Sequence, residues 1–131
     1  MKNRYVRAAA AAALTAALAA VLAATALGRP AANHPKLTGT VGKNDAYKIS
    51  LTSASGKPVT KLKPGTYTVV IHDDSAVHNY ELDGPHGKSW TFTSVGFKGT
   101  KTFTLKLGPG KYKAYCAPHE SVMFQHFTVS R

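Results

Sequence analysis

The chain of 131 residues holds one cysteine, and it sits in the segment YCAPHESVM, from Tyr115 to Met123. His119 follows Cys116 by three residues and Met123 follows His119 by four. A thiolate, an imidazole and a thioether in one short loop are donors that prefer soft or borderline metals to calcium or magnesium. A second imidazole, His78, lies well upstream in VHNYEL. Two imidazoles and one thiolate in a plane, with a weak axial thioether, make the donor set of a type 1 copper site. Each donor has a task there. The thiolate gives electrons a covalent way in and out, and neutral imidazoles suit both oxidation states. The weak axial sulfur commits the ion to neither state's preferred geometry, so little rearrangement accompanies each electron. Glu120 and Gln125 are the alternative axial donors, since either could offer an oxygen in place of the Met123 sulfur.

Taken singly, each of these residues has a plainer reading. A lone buried cysteine is a small hydrophobe, and a lone methionine fills a core. A cysteine beside a histidine also raises a thiol hydrolase, but Cys116 and His119 share one loop and no third group orients the imidazole as a base. No enzyme is expected. What favours the metal is that four donors occur together and in order, three of them at core-facing positions.

The elements that must carry them read as strands. AYKISLT (46–52), GTYTVVIH (65–72), VHNYEL (77–82), KTFTLKL (101–107), GKYKAYC (110–116) and FQHFTVS (124–130) alternate apolar and polar residues, with PVTKL and SWTFTSV as weaker candidates. Gly, Pro, Asp and Asn punctuate them, and the turns LKPGTY and LGPGKY resemble each other. Seven or eight short strands with no helical period imply an all-β Greek-key antiparallel sandwich. Alternation turns Tyr67, Val69 and Ile71 inward, with Phe103, Leu105, Leu107, Phe127 and Val129. The same parity puts His78 with Tyr80 and Leu82, Cys116 with Tyr112 and Ala114, and Met123 with Phe127. These three donors thus take core-facing positions at strand ends, where an unpartnered imidazole would cost about 1–3 kcal/mol. His34, His72, His86 and His126 share no ligand spacing and read as surface or turn residues; Trp90 reads as core or rim.

Ahead of the domain, Lys2, Arg4 and Arg7 precede an uncharged run from Ala8 to Leu27, and Ala24–Ala26 offers a small-x-small cleavage pattern. Residues 1–26 are expected to be a signal peptide, with an uncleaved anchor through residues 8–27 as the alternative. A linker over 27–36 and a domain over 37–131 follow. Export to the periplasm, the cell envelope or the medium is the expectation, and there a lone thiol must be buried or bound to escape oxidation. Without the leader's three basic residues the formal charge falls from +11 to +8. The lysines are spaced singly, which suits a solvated face better than a nucleic-acid groove, and a redox protein, acidic in one reading, is the partner left open. A monomer is expected.

From about Val41 to Val129 the chain resembles the cupredoxins of the plastocyanin and azurin type. HN at His78–Asn79 looks like that family's first-ligand strand, and YCAPHESVM like its Tyr-Cys-x-Pro-His…Met loop. LKPGTYTVVIHDDSAVHNYELDGP is similar to bacterial exported single-domain members. The resemblance implies a Greek-key sandwich, one Cu(I)/Cu(II) ion and one-electron transfer. It also implies that Asn79 helps hold the ligand loop and that His119 is the electron port. The chain departs from the pattern in the three residues ESV between His119 and Met123, and in Gln125, where a glycine is common. A copper-binding, storage or delivery module without electron transfer is the alternative. It is disfavoured by a chain with two methionines, one of them the first residue.

Overall fold

Alternating apolar residues along nine short strands give two sheets, each with one face to bury. The computed structural model describes residues 32–131. The signal or anchor segment expected over 1–26 lies outside the described residues, as do positions 27–31 of the linker. The strands are β1 (Lys36–Val41), β2 (Ile49–Ser53), β3 (Lys61–Leu62), β4 (Gly65–Asp73), β5 (Glu81–Asp83), β6 (Ser89–Thr91), β7 (Gly99–Leu107), β8 (Gly110–Tyr115) and β9 (Phe124–Val129). One sheet has the order β2-β1-β4-β7 and the other β3-β9-β8-β5-β6. Most neighbours are antiparallel, but β1 runs parallel to β4 and β3 parallel to β9. The sandwich is therefore mixed rather than wholly antiparallel.

The inward parity holds along the long strands. Tyr67, Val69, Ile71, Leu105, Leu107, Phe127 and Val129 are buried, and Phe103 packs half-buried against them. His126 and Thr128 face out between their buried neighbours. Of the other histidines, His86 is exposed, His34 and His72 are half-buried, and His72 pairs through Nδ1 with the Thr100 hydroxyl. Trp90 is half-buried at the rim, stacked on Tyr112.

Several boundaries differ from the expected ones for identifiable reasons. β1 carries only Leu37 and Val41 as large buried residues, because Gly39 fills the position between them. A Cβ at residue 39 would lie 2.5 Å from Ile71 Cδ1 and 2.8 Å from the Tyr80 ring, so the two sheets close over this strand only where a side chain is missing. The segment 77–82 is a strand only from Glu81. Ahead of it the backbone turns, His78 N–H bonding to Ser75 O, while Tyr80 N–H is taken by the Thr93 hydroxyl rather than by a neighbouring strand. β2 begins at Ile49, because residues 43–45 form a short 3-10 turn and the loop continues through Lys48.

The two similar turns have one structural purpose. In LKPGTY the Tyr67 hydroxyl donates to Lys63 O at 2.6 Å, and in LGPGKY the Tyr112 hydroxyl donates to Gly108 O at 2.9 Å. Each tyrosine ties its strand back to the carbonyl four residues upstream, a corner brace that lets a buried ring keep its polar tip satisfied. Burial pushes the Tyr112 hydroxyl up from its ordinary pKa, which keeps it a donor.

Gly39→Ala is expected to cost about 1–3 kcal/mol through overpacking against Ile71 and Tyr80. Urea unfolding of the metal-free protein checks this as a lowered midpoint with an unchanged slope.

Candidate metal centre

The end of the sandwich where β4 and β8 finish and β5 begins brings together two stretches of chain. His78 lies in the turn between β4 and β5, three residues ahead of β5 rather than within a strand. Cys116 follows the last residue of β8 and opens a 3-10 turn, Ala117–His119, in which Pro118 suits the unbonded first turn. The loop then closes on itself. His119 N–H donates to Cys116 O, Met123 N–H to His119 O, and Cys116 N–H to Met123 O at 3.1 Å. With three residues between them, Met123 comes one hydrogen-bonded turn beyond His119, and β9 starts at the next residue.

Three donor atoms converge. His78 Nδ1 and His119 Nδ1 are 3.0 Å apart, and Cys116 Sγ lies 3.7 Å from the first and 3.6 Å from the second. The point equidistant from these three corners is about 2.0 Å from each, close to the ~2.0–2.3 Å of metal–imidazole and metal–thiolate bonds. The spacing therefore fits one ion in the plane of the three atoms. His78, Cys116 and Met123 are all 0% exposed, while His119 is half-buried, the donor nearest to solvent. Among the described residues this trio is the group of metal-ligating side chains that stands out, and Met123, tied by its backbone to Cys116 and His119, is buried. Two imidazoles, one thiolate and a neighbouring buried thioether are the donor set of a single type 1 copper site.

The alternative axial donors are committed elsewhere. Glu120 is exposed and pairs with Lys113 Nζ at 2.5 Å. The Gln125 amide spans the two sheets: its Oε1 accepts from Leu51 N–H, and its Nε2 donates to Leu51 O and Val59 O. Those bonds hold the Gln125 amide between the sheets, and it serves as a clamp between β9 and β2 that sequence reasoning missed.

Asn79 joins the two ligand stretches. Its Oδ1 accepts from Ala117 N–H at 2.8 Å, and its Nδ2 donates to Glu81 Oε1 at 2.8 Å. The other oxygen of Glu81 accepts from the Tyr115 hydroxyl at 2.9 Å. The Tyr115 phenol is pushed well up, by burial first and then by its bond to Glu81 and the charges of Glu81, Asp83 and Glu120. It therefore stays protonated and keeps donating. Glu81 also faces Tyr115 in the β5–β8 register, so side chains and backbone agree on the alignment.

Among the described residues, two buried side-chain atoms lack a hydrogen-bond partner: His78 Nε2 and Asp73 Oδ2. Asp73 Oδ1 accepts from Ser75 N–H, which shapes the turn that delivers His78. One aromatic neighbour of the site carried no signal in the sequence. Tyr47, on the loop between β1 and β2, packs edge-on against the rings of both His78 and His119.

No protein-family model matches the chain, and no curated protein matches it. Solved structures do resemble it. A methionine-to-leucine variant of rusticyanin is 14% identical over 72% of this chain and 76% of that one, with a TM-score of 0.52. A rusticyanin described as a copper protein is 16% identical over 72% and 76% of the two chains, with a TM-score of 0.51. A purple cupredoxin from Nitrosopumilus maritimus is 21% identical over 73% of this chain and 99% of that one, at a TM-score of 0.41. At these identities the likeness to rusticyanin is one of fold.

Asn79→Ala is expected to weaken metal binding about 10–100-fold, because it frees the ligand loop at Ala117 while removing no ligand. Competition with a chromophoric chelator measures this against the wild type.

Proposed function

We propose that this chain, built on the cupredoxin fold, is a type 1 copper protein that carries single electrons outside the cytoplasm. The observation that carries the reading is the triangle of His78 Nδ1, Cys116 Sγ and His119 Nδ1, whose edges suit one ion bound to all three. Met123 is the axial donor in this reading, since it is buried in the loop that carries Cys116 and His119 and its rivals Glu120 and Gln125 are engaged in other bonds. When bound, copper supplies a one-electron couple between Cu(I) and Cu(II).

The residues of the chain set the conditions for that couple. Full burial keeps the Cys116 sulfur from the oxidants of an exported environment. The loop's own hydrogen bonds and the Asn79 brace hold the donors in one arrangement, so that neither oxidation state is free to remodel them. His119, half-buried at the rim, offers the shortest way for an electron between the site and a partner. The proposed partner is a redox protein with an acidic surface, met by a chain whose formal charge without the leader is +8. Location outside the cytoplasm rests on that basic, then apolar, leader. Storage or delivery without electron transfer fits less well, because the donors are buried and braced rather than open for handing on the ion.

Addition of Cu(II) to the metal-free protein is expected to give an intense visible thiolate-to-copper band at one equivalent, and a colourless Cu(II) protein contradicts the reading. Zinc binds the same donors without colour, so the titration starts from chelator-treated protein. Cys116→Ser is expected to abolish the band. Met123→Leu is expected to keep it and raise the reduction potential; an unchanged potential would remove Met123 from the site. A reversible voltammetric wave in the wild type separates a carrier from a storage module.

A further inference from the structure

The loop between β1 and β2 places an aromatic side chain against the donors. The Tyr47 ring centroid lies 4.7 Å from that of His119 and 5.2 Å from that of His78, with interplanar angles of 79° and 78°. The two imidazoles are 4.8 Å apart at 71°, so the three rings meet near right angles, like the walls of a corner. Edge-to-face contact is favourable because the positive edge of one ring meets the negative face of another. Tyr47 is nonetheless 58% exposed, so its place is not that of a core residue.

The loop is built to hold that ring. Asp45 N–H donates to Gly42 O, Lys48 N–H to Ala46 O, and Gly42 N–H to Lys48 O, which draws the two ends together. Gly42 has a left-handed φ of 67°, and a Cβ there would lie 2.8 Å from His78 Cδ2. The loop thus leans on His78 twice, with bare backbone at Gly42 and with a ring at Tyr47. On its outer side Tyr47 lines a surface groove with Lys43, Lys48, Val122 and Phe124. Two exposed lysines give that groove a positive potential, which concentrates small anions. Tyr47 touches the imidazoles on one side and the groove on the other.

We propose that Tyr47 is a positioning residue: its ring fixes the planes of both imidazoles and keeps small anions in the lysine-flanked groove from reaching the copper ion. The inference rests on the type 1 reading. Cu(II) readily takes nitrogen and oxygen ligands in tetragonal geometry. An anion admitted beside the imidazoles would therefore join the site and weaken its thiolate band.

The test is an azide titration of the copper-loaded wild type, Tyr47→Phe, Tyr47→Ala and Tyr47→Leu, followed by visible absorption. Wild type and Tyr47→Phe are expected to keep the band to the same azide concentration. Tyr47→Ala and Tyr47→Leu are expected to lose half of it at about tenfold less azide, the equivalent of the two lost ring pairs. Melting of the metal-free variants shows whether the fold has changed, and an exposed side chain is expected to leave it unchanged. Tyr47→Leu keeps apolar bulk at the position, so it serves if Tyr47→Ala does not fold. Ring-less variants as resistant to azide as a wild type that shows the band overturn the role of Tyr47 alone. A wild type that never develops the band overturns the copper reading and this inference with it.

Discussion

One hydrogen bond, from Ala117 N–H to the Asn79 side chain at 2.8 Å, connects the two stretches of chain that supply the donors. His78 comes from one stretch and Cys116, His119 and Met123 from the other, the cysteine standing 38 positions after the first histidine. Neither stretch supplies all the donors by itself. The Asn79 amide also bonds Glu81, and Glu81 bonds the Tyr115 hydroxyl, so the brace runs from one donor stretch to the other through β5 and β8. A site fixed in this way owes its geometry to the fold more than to the ion. That is the condition under which electron transfer costs little rearrangement.

The rest of the sandwich supports that end of the molecule. The Gln125 clamp fastens β9 to β2 two residues beyond Met123, so the closing strand cannot slide without breaking three hydrogen bonds. The corner tyrosines fix the starts of β4 and β8, and those strands lead, at their far ends, to the turn carrying His78 and to Cys116. Fixed strand starts and a clamped closing strand turn a long-range topology into short-range precision at the donors. Tyr47 adds a wall from a third stretch of chain.

The sequence made much of this legible where one local rule governs the outcome. Period-two alternation placed Cys116 with Tyr112 and Ala114, and His78 with Tyr80, and all five are buried. It failed where tertiary contacts set the backbone. β1 has a weak apolar pattern because Gly39 makes room for Ile71 and Tyr80, neither of which is near in sequence. The alternation of 77–82 continues through a turn that is not a strand, since Tyr80 stays inward while its N–H bonds a side chain. Gln125 offered an oxygen on paper, but its amide is spent on Leu51 and Val59, which the fold alone brings to it. Tyr47 gave no sign because its loop reaches the site through positive φ at Gly42, Asn44 and Asp45, a path that no periodicity encodes.

The central claim is that the His78, Cys116 and His119 atoms already stand where one copper ion can bond all three. X-ray absorption on the copper-loaded protein tests it most directly, because it counts the atoms bonded to the metal and identifies them by type. The account expects two imidazole nitrogens and one short-bonded sulfur. A copper ion bonded only to nitrogen and oxygen, with the Cys116 sulfur beyond bonding distance, would contradict it.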